Sequence, residues 1–358
     1  MKYKLSDVVD RINGNVDRFT TSLEYYVGGE HFESNELEIT GCGLIKPNVN
    51  ILGFKFHFAF QPGDVLYMAR NPHLRKAGMV NFSGICSDAS YILRTKDSNV
   101  LCQEYLAVIM QSNHLWDYCE SHKVGSVNFA INWKTLANYE FDLPDINIQR
   151  SIANRIWAAY RVKQAYKKLI SATDEMVKSQ FIEMFDFHEL NLNSPSKDFE
   201  SMCLDDTSSA TKIPAAEYLQ EGKYAVYDQA QEKDIAGYSN TEQGLCRNYP
   251  AVLFGDHSRV VKYINEPFFI GADGVKIIRP RKDNLIPEFL YYDLKYHNIP
   301  NTGYNRHFKY IKMISLTKAS LEEQSQFLSI AHQADKSKFE LKRAIEAIDK
   351  VIKSLING

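Results

Sequence analysis

The residues of this chain best suited to act on another molecule are cations held in short loops. The apolar run Val65-Leu-Tyr-Met-Ala69 leads straight into Arg70-Asn-Pro-His73-Leu-Arg75-Lys76. Ala251-Val-Leu-Phe254 leads in the same way into Gly255-Asp-His257-Ser258-Arg259, with Lys262 three residues further on. A second pair of loops holds Lys123-Val-Gly-Ser126-Val-Asn128 and Gly303-Tyr-Asn305-Arg306-His307-Phe-Lys309. Arg, Lys and His can neutralise phosphates or reach base edges, and Asn and Ser can hydrogen-bond them. Glycine lets a backbone come close to a phosphate. Gln229, Gln231 and Lys233 could read adenine or phosphate, or simply form a polar hairpin tip. Any one of these loops could be nothing more than solvated surface. Finding the same loop type at two matching places favours a nucleic acid as the ligand.

Other chemistry is poorly served. Asn71-Pro72-His73-Leu74 lacks the second proline and the aromatic with which amino-methyltransferases hold a flipped base. Glu30-His31 is a single adjacent pair without metal-ligand spacing, so a structural role is expected. No Gly-x-x-x-x-Gly-Lys-Ser/Thr loop is present for ATP. Asp88 and Asp273 lie in apolar surroundings and are read as turn or capping residues. No catalytic residue, cofactor-binding residue or metal ligand is assigned.

The chain has 358 residues, 44% hydrophobic and 24% charged, enough for two domains with extensions. Its net charge is −2, so any DNA-binding charge must be local. Six scattered cysteines without a Cys-x-x-Cys pair suggest reduced thiols. No apolar run is long enough for a membrane span, and no apolar signal core follows Met1-Lys-Tyr-Lys. A cytoplasmic location is expected.

Two long stretches must position the loops. From Ile148 to about Phe185 no Gly or Pro occurs, and Ile152, Ile156, Ala159, Tyr166, Ile170, Thr173, Val177 and Met184 keep a three–four spacing, with Lys163 and Gln180 as polar gaps. Phe327, Ala331, Ala334, Leu341, Ile345, Ile348, Ile352 and Leu355 keep it again, with Lys338 as the gap. These are seams of two helices, each roughly 50–57 Å long, that pack along one another. A globular segment of short strands and helices precedes each. The first includes a strand from Phe54 to Phe60 and one or two helices between Leu101 and Cys119. The second includes strands at Tyr224–Tyr227 and Ala251–Phe254 and a helix from Ile286.

The halves repeat. Val252 follows Val65 by 187 residues, Asp273 follows Asp88 by 185, Gly303 follows Gly125 by 178 and Gln324 follows Gln149 by 175. The slow one-way drift fits a diverged duplication, with small deletions between two similar modules. Two mixed domains sharing turn chemistry by chance are the alternative. A dimeric DNA reader places its modules about 34 Å apart or a multiple of it, the scale of such rods.

Over essentially its whole length the chain resembles the specificity (S) subunits of type I restriction–modification systems. The likeness rests on Tyr26-Val-Gly-Gly-Glu-His31, Gly63-Asp-Val-Leu66 with Arg70-Asn-Pro-His-Leu-Arg75, Gly84-Ile-Cys-Ser-Asp88 and Leu143-Pro-Asp-Ile-Asn-Ile-Gln149. It continues in Val226-Tyr-Asp-Gln-Ala-Gln231 with Gly237-Tyr238, in Val252 to Lys262 and in Phe269-Ile-Gly-Ala-Asp-Gly-Val275. Leu316-Thr317 departs from it, since the family usually has a proline there. The resemblance implies an α+β chain in which two mixed α/β target-recognition domains are separated by a long antiparallel two-helix coiled coil, an internal repeat with pseudo-two-fold symmetry. The expected divisions are 1–147, first target-recognition domain; 148–187, central helix; 188–318, linker and second target-recognition domain; and 319–358, C-terminal helix. It implies a non-catalytic subunit that reads a bipartite, asymmetric site in double-stranded DNA, docks two methyltransferase subunits, and serves defence against foreign DNA. Restriction subunits would join that core. S-adenosylmethionine would sit on the methyltransferase, and ATP and Mg on a restriction subunit. A two-lobed DNA-modifying enzyme and a protein-only coiled-coil adaptor are the competing readings.

Overall fold

The computed structural model describes residues 2–46, 52–231, 234–271, 274–303 and 305–358. It divides into two compact units, Met1–Lys168 with Leu341–Gly358, and Leu169–Glu340. Each long helix is therefore shared between the units instead of forming a body of its own.

In unit 1 the central strand β6 (Val65–Met68) lies between β9 (Ser90–Thr95) and β7 (Ala77–Met79), with β2 (Val9–Ile12) beyond β9, all antiparallel. Its side chains alternate, as the two-residue period of a strand demands. Val65 and Tyr67 join the core of α2 (Gln103–Ile109) and α3 (Asn113–His122), where Tyr67 stacks on Trp116 at 5.3 Å. Leu66 and Met68 join the core of a second sheet, which is why this strand is apolar on both faces. That sheet runs β4 (Gly43–Leu44), β3 (Tyr25–Val27), β8 (Gly84–Ser87), β5 (Phe56–Phe60), with β3 parallel to β8. Strand β5 starts two residues later than the alternation suggests and leaves Phe54 75% exposed. Short elements close the unit: β1 (Lys2–Lys4) pairs with β10 (Glu140–Asp142), and α1 (Leu5–Val8) and α4 (Trp133–Ala137) lie between them in sequence.

Unit 2 has the same plan. After α6 (Asp198–Met202), strands β11 (Cys203–Asp205), β18 (Val275–Pro280), β15 (Ala251–Gly255) and β16 (Val261–Ile264) form an antiparallel sheet in the order β11-β18-β15-β16. Val252 and Phe254 of β15 face the core that holds α7 (Pro287–Tyr296) and α8 (Phe308–Ile311). Ala251 and Leu253 face the second sheet. In that sheet β13 (Tyr224–Tyr227) is parallel to β17 (Phe268–Gly271) and antiparallel to β14 (Gly237–Ser239). One edge differs: β12 (Lys212–Ile213) runs parallel to β17, whereas β5 runs antiparallel to β8.

The long helices are α5 (Ile146–Met184) and α9 (Leu321–Asn357). In unit 1 the start of α5 packs on the end of α9 through Ile156, Tyr160 and Ile352. In unit 2 the end of α5 packs on the start of α9 through Val177, Phe181, Phe327, Ala331 and Ala334. The pairing is thus antiparallel in each. At the last turn the seam moves by one residue: Leu355 is exposed and Ile356 packs instead.

Two constellations show the repeat at atomic detail. Buried Gln149 accepts the Cys102 N–H (3.2 Å) and donates to the carbonyls of Val100 and Pro144. Gln324 accepts the Ile286 N–H (2.8 Å) and donates to the carbonyls of Asn284 and Ala319. Each glutamine ties the first turn of a long helix to the segment that enters α2 or α7. The two lysine gaps in the seams behave alike, whereas Gln180 bonds Glu183 of its own helix. Lys163 of α5 pairs with Asp349 of α9 (2.8 Å), and Lys338 of α9 pairs with Asp174 of α5 (2.6 Å). Both lysines and both aspartates are 175 residues apart, like the glutamines. The two helices have exchanged roles between units. Lys163 also holds Glu36 at 2.9 Å, and burial, which would lower the ammonium's pKa, is outweighed by Asp349 and Glu36, so it is raised.

The departure at Leu316-Thr317 has a local cause. Asp293, fully buried in α7, accepts both the backbone N–H (2.8 Å) and the hydroxyl (2.9 Å) of Thr317. A proline at 317 would lack that N–H.

Candidate nucleic-acid interface

In unit 1 the loops at one end of the sheets are joined to one another by their backbones. The Asn71 N–H donates to Phe129 O (2.8 Å), Ile131 N–H to Ala69 O (2.9 Å), and Arg70 bridges Ala130. This sets the loop at 70–76 beside the small hairpin at 124–130, which a Val124–Ala130 bridge closes. Ala69 N–H donates to Ala89 O, and Asp88 N–H to Lys55 O, which brings the 53–57 segment alongside. Two readings separated by some fifty residues in sequence therefore meet in one row. The hairpin needs Gly125 at φ +110, since a Cβ there would stand 2.7 Å from Asn128 O.

The predicted side chains of this row have different fates. Arg70, His73, Ser126 and Asn128 are exposed. Arg75, in the left-handed region at φ +50, donates to Asn113 Oδ1 (2.7 Å), and Asn113 N–H donates to Asn357 Oδ1 (2.7 Å), so it ties the loop to α3 and the end of α9. Lys76 donates to Gly29 O (2.7 Å) and is a strut between loops. Lys123 is half-buried, paired with Glu120 (2.6 Å) and set over the Phe129 ring. Asp88 faces Lys55 at 3.8 Å. His31 Nδ1 accepts the Gly28 N–H, as a structural residue would.

In unit 2 the corresponding loops meet again, but side chains join them. Asp256 is buried; its carbonyl accepts the His307 N–H (2.8 Å) and its Oδ1 accepts the Phe308 N–H (2.7 Å). His307 is 0% exposed, with Nδ1 2.9 Å from Asp256 O and Nε2 accepting the Thr302 N–H. The accepted bond at Nε2 puts the proton on Nδ1. Gln229 Oε1 accepts the His257 N–H, Gln231 Nε2 donates to Ser258 O, and Arg259 donates to Ile299 O (3.0 Å). His257 Nδ1 lies 3.2 Å from Asn305 O, and the Ser258 hydroxyl accepts the Val260 N–H. Lys262 is buried and donates to Asp234 O; burial pulls its pKa down against the attraction of Asp228 and Asp234. Gln229, Arg259, Lys262 and His307 thus build the loop end. Asn305, Arg306, Lys309 and Gln231 are exposed on it. Lys233 and Asp273 lie outside the described residues.

Several exposed residues of the row in unit 1 escaped the sequence reading. Phe54, Val124 and Val127 are apolar and were absorbed into strand or connection patterns, yet all are exposed. The signal that could have found Val127 is its place between Ser126 and Asn128 in a glycine-turned hairpin. Among the described residues no group of three or more His, Cys, Asp and Glu side chains could hold a metal, and no helix is long and apolar enough to cross a membrane.

Comparison with known proteins adds the decisive observation. Residues 1–171 match the family described as the type I restriction modification DNA specificity domain. Residues 1–171 are a specificity domain of that family. No curated protein matches the chain. Among solved structures it is similar to the S subunit of a type I restriction–modification system from M. genitalium, with 14% identity, a TM-score of 0.55, and 99% of this chain and 94% of that one covered. It is also similar to a chain from a type I R-M system described for its complex assembly and conformational transition, with 17% identity, a TM-score of 0.53, and 99% and 96% coverage. At these identities the two likenesses establish the shared fold. The exposed row in unit 1 lies within the specificity domain, and so does the first part of α5.

Proposed function

We propose that the chain is the non-catalytic DNA-recognition subunit of a type I restriction–modification complex, with unit 1 reading one part of a split site and unit 2 the other. The observation that carries this reading is the repetition of the specificity domain beyond residue 171. Unit 2 has the same antiparallel sheet order and the same parallel strand pair, and its Gln324 makes the same three bonds as Gln149. Because exposed side chains at the two loop ends differ, the two half-sites differ too. Arg70 and His73 in unit 1, and Arg306 and Lys309 in unit 2, are assigned to phosphates, which position the protein without choosing sequence. The helices α5 and α9 set the distance between half-sites and dock two methyltransferase subunits. Those subunits supply S-adenosylmethionine, and a restriction subunit supplies ATP and Mg. A net charge of −2 makes binding by the isolated chain weak and salt-sensitive.

The test is methylome sequencing of a host that expresses the chain with its methyltransferase subunit. A bipartite, asymmetric methylated motif with an unspecified gap is expected. A single uninterrupted motif, or methyl incorporation by the purified chain alone, would overturn the assignment.

A further inference from the structure

The hairpin at 124–130 exposes two valines in a row that is otherwise polar and cationic. Val127 is 83% exposed and Val124 53%. Neither contributes to a core cluster, so folding does not account for them. Scattered apolar residues on a surface need no explanation. These two sit on one seven-residue hairpin whose shape is fixed three times over: by the Val124–Ala130 bridge, by Gly125 at φ +110, and by the bonds of Asn71 N–H to Phe129 O and of Ile131 N–H to Ala69 O. Val127 stands between Ser126 and Asn128, both exposed, and the hairpin is fastened to exposed Arg70.

In the major groove of DNA the one apolar feature a base pair presents is the C5-methyl of thymine, and the adenine opposite offers N6 and N7 to an amide side chain. A branched aliphatic residue beside an asparagine, on a tip anchored next to a phosphate-seeking arginine, matches that pattern. We propose that Val127 reads a thymine methyl group in the half-site of unit 1, with Asn128 placed for the adenine of an A·T pair. This rests on the reading of the chain as a DNA-recognition subunit and adds a base preference to it.

The experiment uses the full chain with its methyltransferase subunits and a cognate duplex in which each thymine is replaced in turn by deoxyuridine, which removes only the methyl group. Val127→Ala, at an exposed tip, leaves the fold unchanged. One uracil position in one half-site should weaken binding by the unaltered protein about fourfold, the effect of exposing one methyl group. The same position should leave Val127→Ala indifferent. Tight binding of the duplex with no sensitive thymine, or a sensitivity that persists in Val127→Ala, overturns the thymine assignment while leaving the DNA-recognition reading intact. Failure to bind any candidate duplex overturns both.

Discussion

In unit 1 the loops at the end of the sheets are joined by backbone amides and carbonyls, from Lys55 through Ala89 and Ala69 to Phe129 and Ile131. In unit 2 the same place in the fold adds side chains to such backbone bonds: Asp256 and His307 at the centre, with Gln229, Gln231 and Arg259 around them. Backbone bonds are indifferent to residue type, so unit 1 leaves Arg70, His73, Val127 and Asn128 available to a ligand. Side chains that hold a loop cannot also read a base. In unit 2 the exposed residues of the matching loops lie further along, at Asn305, Arg306 and Lys309. A basic or polar residue in a matching loop is therefore not equivalent between the two copies. Substituting it tests affinity where the side chain is exposed and stability where it is enclosed.

The largest expected effects fall where the copies agree. Gln149→Ala and Gln324→Ala each strand one N–H and two carbonyls in the interior, and each should cost roughly 4 kcal/mol. Urea unfolding of both variants measures it, and unequal costs would show that the repeat is one of shape only. The lysines of the helix seams should part company next. Lys163 is buried between Glu36 and Asp349, and Lys163→Met should cost about 3 kcal/mol by leaving two carboxylates without it. Lys338 pairs with aspartates that are half exposed, and Lys338→Met should cost less than about 1 kcal/mol in the same measurement.

That contrast extends to acid. Burial pushes the Glu36 carboxyl up, but bonds to Lys163 and Lys167 outweigh it, so its folded pKa lies below its ordinary value of 4.5. The stability it contributes is complete above 4.5 and is lost as pH falls through the lower folded value. Unfolding followed from pH 7 to 3 should show this loss in the native chain and a flatter acid limb in Glu36→Gln. An identical limb would remove Glu36 from the account.

Substitutions in the loops should separate scaffold from reader. His307→Ala should destabilise by about 1–2 kcal/mol, through its bonds to Asp256 and Thr302, and leave the salt dependence of DNA binding untouched. Arg70→Ala should weaken binding across all sequences and lower the slope of log K against log salt by about one. Arg306→Ala should do the same. A slope change from His307→Ala instead would invert the comparison.

Much of this was legible in residue order. The three–four spacing marked both long helices, and the two lysine gaps proved to be ion-paired with aspartates of the opposite helix. Gln149 and Gln324 could be aligned before their shared bonding was visible. What the sequence could not supply was burial within loops. His307 and Arg306 are neighbours in a stretch that reads as uniformly basic, yet one is enclosed beneath Asp256 and the other is exposed, because the backbone turns at Asp256 and Gly303 decide which side chain faces inward. Val127 was passed over because the loop from Lys123 to Asn128 was read through its polar residues, and only the closed hairpin shows how far the valine is exposed.

The central claim is that one chain carries two unlike reading ends for one split site. Hydroxyl-radical footprinting of the chain, assembled with its methyltransferase subunits on the methylated motif's DNA, tests it most directly. Two protected patches separated by an accessible gap are predicted, with Arg70→Ala and His73→Ala fading one patch and Arg306→Ala and Lys309→Ala fading the other. A single continuous patch, or both pairs of substitutions fading the same one, would contradict it.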